Sequence, residues 1–101
     1  MKRPISTRAK LVAKELGQNI SAWRKLQGLT TQQLADKANA SRSTISRLEN
    51  GDPSVSLATF LNVCNVFGVS DGVLSSTDPY QTDFGRARAD KALPQRVRRQ
   101  S

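Results

Sequence analysis

Residues 29–51, running Leu-Thr-Thr-Gln-Gln-Leu-Ala-Asp-Lys-Ala-Asn-Ala-Ser-Arg-Ser-Thr-Ile-Ser-Arg-Leu-Glu-Asn-Gly, constrain this chain more than any other stretch. Their local chemistry writes two short helices with a tight turn between them. Thr30 has a side-chain oxygen that can accept from an orphan amide of a first helical turn. Gln33, three residues on, completes a capping-box pattern. Leu34, Ala35 and Ala38 then form a narrow apolar stripe at helical spacing. Asn39 is a left-handed stop, because Asn tolerates positive φ better than most residues. Ser41 caps a second helix in which Ile45 and Leu48 face inward. Arg42, Ser43, Ser46 and Arg47 are left on the outside, and Asn50-Gly51 followed by Pro53 ends the helix. The small residues Ala35 and Ala40 allow the two helices a close approach.

Helices are also expected on either side. One runs from about Ser6 to Gln27 and stops at Gly28, with Val12, Leu16, Ile20 and Trp23 on one face. That face makes Trp23 a core residue rather than a base-stacking platform. Gly17 inside this helix costs about 1 kcal/mol relative to Ala. Another helix starts after Ser56, buries Leu57, Phe60, Leu61, Cys64 and Phe67, and ends at Gly68. Ser70 caps a short fifth helix carrying Val73 and Leu74. Beyond the break at Asp78-Pro79, Asp83 to Leu93 can form a further short helix with Phe84, Ala87 and Leu93 as apolar points, and Pro94 prevents its simple continuation. No strand pattern, internal repeat or low-complexity tract is visible.

In this order and spacing the motifs resemble the helix-turn-helix domains of the phage-repressor/Cro type, the XRE family. The resemblance runs from about Leu16 to Leu74. It includes the Arg24-Lys-Leu-Gln-Gly-Leu-Thr30 lead-in, Leu34-Ala35, Ser43-Thr44-Ile45-Ser46, Leu48-Glu49-Asn50-Gly51 and the Pro53-Ser-Val-Ser-Leu57 link. It implies an all-α, five-helix repressor-like domain over residues 6–75, flanked by flexible basic arms at 1–5 and 76–101. It also implies a homodimer that sets its recognition helix into the major groove of double-stranded DNA.

On that footing the outer face of the recognition helix reads bases. Arg42 and Arg47 can each span guanine O6 and N7. Ser43 and Thr44 lie on the first turn, where such helices reach base edges, and Thr44 can either meet a thymine methyl or simply pack. Ser46 is small enough to permit close approach. Thr30, Thr31, Gln32 and Asn50 are placed for phosphates, which position a protein without specifying sequence. The family usually carries Gln at the first position of the second helix. Here Thr31 stands there with Gln32 next, so either can make that contact. Arg24 and Glu49 match positions that bridge the first and third helices in the family, a structural pair held by bidentate hydrogen bonds.

Charge supports a nucleic-acid partner. The chain of 101 residues carries a net +8. Residues 1–15 hold five Lys/Arg and one acid, residues 16–75 five and four, and residues 76–101 six and three. A nearly neutral centre with basic ends is the pattern of phosphate-tracking arms on a DNA-binding core. The C-terminal segment, with Tyr80, Phe84, Leu93 and Val97 among its charges, fits either DNA contact or partner docking. More weakly, it resembles tails of small bacterial repressors that act as antitoxins to HipA-type kinase toxins. The alternative reading is therefore an antitoxin that neutralises such a kinase and represses its own operon.

Other classes are disfavoured. With no His and one cysteine, neither a Ser-His-Asp triad nor a zinc cluster can be built, and no glycine-rich phosphate loop is present. No enzyme activity, cofactor or metal is expected. Cys64 cannot form an internal disulfide and falls among Leu61, Val63 and Phe67 as a core residue. No membrane span or signal-peptide apolar region is visible, so a cytoplasmic protein is expected.

Overall fold

A computed structural model describes residues 4–92, with side chains through residue 89. Met1 to Arg3, most of the expected N-terminal arm, lie outside these residues, as do Leu93, Pro94 and Val97. Among the described residues the chain is all helical, with α1 (Thr7–Leu26), α2 (Thr31–Lys37), α3 (Arg42–Glu49), α4 (Leu57–Phe67), α5 (Ser70–Thr77) and α6 (Asp83–Ala92). A single 3-10 turn, Pro79–Gln81, precedes α6. The helices up to Gly68 form one compact unit, and the chain from Val69 onward forms a second.

In the first unit each helix opens on a short polar cap. Ser6, Thr30, Ser41 and Ser56 accept from the amides of Ala9, Gln33, Thr44 and Thr59 respectively. Thr30 and Gln33 complete the capping box, with the Gln33 side chain accepting from Thr30 N at 2.8 Å. The helix ends are equally regular. Gly28, Asn39 and Gly51 each sit at positive φ just past the caps of α1, α2 and α3. Behind each the same hydrogen-bond pair closes: Leu29 N to Arg24 O, Ala40 N to Ala35 O and Asp52 N to Arg47 O, each with the shorter bond inside it. These are three successive Schellman motifs, and they turn the chain sharply enough to stack short helices.

The core of this unit is Ile20, Leu34, Ala35, Ala38, Ile45, Leu48, Val63, Cys64 and Phe67. Burial pushes the Cys64 thiol up from its ordinary value, which leaves it a small apolar filler. Asn62 Nδ2 donates to Ala38 O at 3.1 Å, so α4 holds the carbonyl of the α2 C-cap residue.

Several apolar expectations are corrected. Val12, Leu16, Leu57 and Leu61 remain exposed, because a bundle this small covers only the middle of each apolar face. On α4 the face turned inward is that of Val63, Cys64 and Phe67. Trp23 is not fully enclosed. One face stacks on Phe67 with ring centroids 5.9 Å apart, while 41% of the residue stays exposed.

The second unit comprises α5, the 3-10 turn and α6. Ser70 is the first residue of α5 rather than its cap; Val69 holds the cap position and no side chain closes that end. The turn before α6 is well bonded. Asp78 Oδ1 accepts from Tyr80 N at 2.9 Å, and Thr82 Oγ1 accepts from Gly85 N at 2.9 Å. Among the described side chains of α6, Gly85 and Ala89 are the buried positions. A Cβ at Gly85 would collide with the Pro79 carbonyl, so α6 lies directly on the 3-10 turn. The expected apolar points Phe84 and Ala87 face outward instead, Phe84 being 70% exposed with the Arg88 guanidinium 4.8 Å from its ring centroid.

Candidate nucleic-acid interface

The geometry of the site begins with how α3 is fixed. Its inward residues, Ile45 and Leu48, are buried. With 3.6 residues per turn, the opposite face is occupied by Ser43, Arg47 and Asn50, flanked by Ser46. Ser43, Arg47 and Asn50 are exposed, and Ser46 is half-buried. Arg42 is exposed at the first position of the helix, and its side chain makes no hydrogen bond among the described residues. Thr44 is half-buried. Its hydroxyl lies 2.8 Å from Ser41 Oγ, which also lies 3.2 Å from Ser43 Oγ. The start of α3 is thus a cluster of hydroxyls from Ser41, Ser43 and Thr44, with Arg42 between them in sequence.

The far end of α3 is locked to α1. Arg24 Nε donates to Glu49 Oε2 at 2.7 Å and Nη2 to Oε1 at 3.1 Å, a bidentate pair. Arg24 Nη1 also donates to Leu29 O at 3.0 Å. The side chains are 15% and 11% exposed, and the Glu49 hydrogen bonds push the Arg24 pKa up. Gly17 makes this contact possible. A Cβ there would stand 2.5 Å from Glu49 O and 2.6 Å from Leu48 O, so α1 crosses the last turn of α3 backbone to backbone. Gly51 approaches α1 as closely, with its Cβ position 2.7 Å from Lys14 Cα. In sequence Gly17 is only a poor helix former; its role depends on a partner segment distant along the chain.

Around the start of α2, Thr30 and Gln32 are exposed and Thr31 is half-buried. The Gln32 amide donates to Asp36 Oδ1 at 2.9 Å. Thr31 makes no side-chain hydrogen bond among the described residues.

Arg47 has partners that the sequence did not suggest. Its Nε donates to Asp52 Oδ2 at 2.9 Å and its Nη2 to Ser54 Oγ at 2.9 Å. Ser54 Oγ in turn donates to Asp52 Oδ1 at 2.7 Å, and Ser54 N donates to the same oxygen at 2.8 Å. The Ser54 hydroxyl and the Arg47 guanidinium hold the Asp52 carboxyl well below the usual carboxylate range. A lowered value means the ring is complete above the unfolded carboxyl pKa, about 3.9, and is lost only as pH falls toward the folded value. A readable signal existed. In a Schellman motif the residue after the left-handed position lies beside the residue three before the cap, usually in apolar contact. Here those two positions are Asp52 and Arg47.

Residues 20–74, more than half of the chain, match the helix-turn-helix family. Over 56 residues the chain is 41% identical to a competence pilus inhibition repressor of Acinetobacter baylyi. That alignment covers 55% of this chain and 51% of the relative, so the chain spans about half the length of the curated relative it matches.

Proposed function

This chain belongs to the helix-turn-helix family, and from that premise we propose that it is a DNA-binding transcriptional regulator, a repressor that reads a palindromic operator as a homodimer. The observation that carries the reading is the outer face of α3. It is polar, cationic and exposed, while the helix behind it is fixed by the Arg24–Glu49 pair and the Gly17 crossing. A rigid helix with that face suits the major groove. Arg42, Ser43, Thr44, Ser46 and Arg47 are the base-reading set, and Thr30, Thr31, Gln32 and Asn50 contact phosphates. The tie between Gln32 and the acidic Asp36 favours Thr31 for the first phosphate contact of α2. Such a regulator works in the cytoplasm, at the nucleoid. The similarity to a repressor supports the direction of regulation.

The test is titration of duplexes carrying single base-pair replacements. Arg42→Ala and Arg47→Ala are expected to cost about 1–3 kcal/mol on the preferred site, at least one of them relaxing preference at a single position. Equal weakening on every sequence by both variants would make them phosphate contacts. Footprints are expected on inverted half-sites whose centres lie about 10 bp, or a multiple of that, apart. One chain bound at saturation on a single asymmetric half-site would contradict the dimer.

The exposed Phe84, Tyr80 and Leu74 of the second unit favour a second reading, in which this region docks a protein partner such as a HipA-type kinase. Truncation after Thr77 removes six Lys/Arg and three acids. If the segment tracks phosphates, the slope of log affinity against log salt flattens by about 0.9 for each phosphate that is no longer neutralised. If it docks a protein, that slope is unchanged and the partner complex no longer forms.

A further inference from the structure

Resting on the reading of α3 as a base-reading helix, we propose that Asp52 and Ser54 are positioning residues that hold Arg47 as a preset guanine reader. A guanidinium has five N–H donors on a rigid plane. Asp52 Oδ2 takes the Nε donor, and Ser54 Oγ takes one donor of Nη2. Because Ser54 Oγ is itself hydrogen-bonded to Asp52, both acceptors lie on the same Nε–Nη2 edge of the guanidinium. The terminal edge, with one donor on Nη1 and one on Nη2, makes no hydrogen bond among the described residues. Two parallel donors on one edge match the O6 and N7 acceptors of guanine in the major groove. The ring therefore occupies the edge that cannot be used for end-on reading and leaves the one that can.

The ring is not needed for stability. Arg47 and Asp52 are 48% and 33% exposed, and an ion pair so open to solvent contributes little to folding. Its effect is on order. Arg47 sits in the middle of the outer face, and a free arginine there would lose its rotamer freedom on reaching a base. Asp52 and Ser54 restrict it beforehand. Both come from the turn after α3, set by Gly51 at φ 83° and by the Asp52 N to Arg47 O bond. Asp52 also removes the advantage of swinging Arg47 onto a phosphate, because its carboxylate would then be left unpaired beside the DNA backbone.

The experiment compares the full chain with Arg47→Ala, Asp52→Asn and Ser54→Ala. Each is titrated onto the duplex the unaltered protein selects from random DNA, and onto duplexes with every base pair replaced in turn. Asp52→Asn keeps an acceptor for Ser54 N and cannot accept from Arg47 through its amide nitrogen. The expected result is one G·C pair at which Arg47→Ala abolishes discrimination. At that same pair Asp52→Asn loses roughly tenfold of discrimination, within the range a bidentate contact supplies. Other pairs are read as before, and affinity for unrelated DNA does not fall, since the cation remains. Ser54→Ala shows the same pattern more weakly, and it carries the test alone if Asp52→Asn melts early. Full discrimination by both Asp52→Asn and Ser54→Ala at the pair Arg47 controls would overturn the proposal. So would a selected site at which Arg47→Ala alters no pair. If the unaltered protein selects no site, the failure lies with the regulator reading, and the proposal falls with it.

Discussion

Glu49→Ala is expected to lower the stability of the first unit by about 3 kcal/mol. The variant removes both oxygens that accept from Arg24 and leaves a guanidinium only 15% exposed with the Leu29 carbonyl as its remaining partner. The cost of such a deletion is dominated by the stranded charge rather than by the value of the pair. The pair keeps a little exposure to solvent, which places the figure at the lower end for buried pairs. Denaturant unfolding should show an earlier midpoint with an unchanged slope. Replacing both residues with apolar ones of similar size is expected to recover most of the loss. An unchanged melting curve together with lost preference at one base pair would instead make Glu49 a base reader.

Gly17→Ala is expected to destabilise the same helix crossing, although Ala is the better helix former. The propensity gain is about 1 kcal/mol, and overpacking against fixed atoms costs up to about 3 kcal/mol or more. The atoms in the way are the carbonyls of Leu48 and Glu49, which are backbone and cannot rotate aside. Relief requires α1 to lift from α3, which also pulls Arg24 away from Glu49. Both stability and DNA affinity should fall together. Gly72→Ala is the matching control. It lies within α5 with open space where the Cβ would go, so the same change there should leave stability equal or higher. A neutral Gly17→Ala would show that the crossing is looser than the geometry requires.

The contrast between these sites marks what could be read from sequence. Caps and stops are local, fixed by a residue and its neighbours within a turn. Thr30 with Gln33, Ser41, Ser56, and the left-handed Asn39, Gly28 and Gly68 therefore stand where the sequence places them. Ser70 fails for a local reason too, since Val69 takes the cap position and the serine starts the helix. Burial is set by neighbours distant in sequence, and there the reading is coarser. Leu57 and Leu61 carry the apolar pattern of α4 as well as Val63 does, yet only Val63 meets the core. Phe84 looks like the anchor of α6, but Gly85 is the residue that meets the 3-10 turn, because only a residue without a side chain fits under Pro79. The Arg47 ring lies between these cases: its members are close in sequence, but their meeting depends on the Schellman turn that brings Asp52 back over α3.

Under the proposed function, the outer face of α3 reads a specific, symmetric DNA sequence. The most direct measurement is selection of bound duplexes from a random pool by the full chain at moderate salt. Enrichment is expected for an inverted repeat with half-site centres about 10 bp, or a multiple, apart, and for a fixed G·C pair in each half whose enrichment vanishes with Arg47→Ala. A pool that stays random, with binding that depends only on salt, would contradict it.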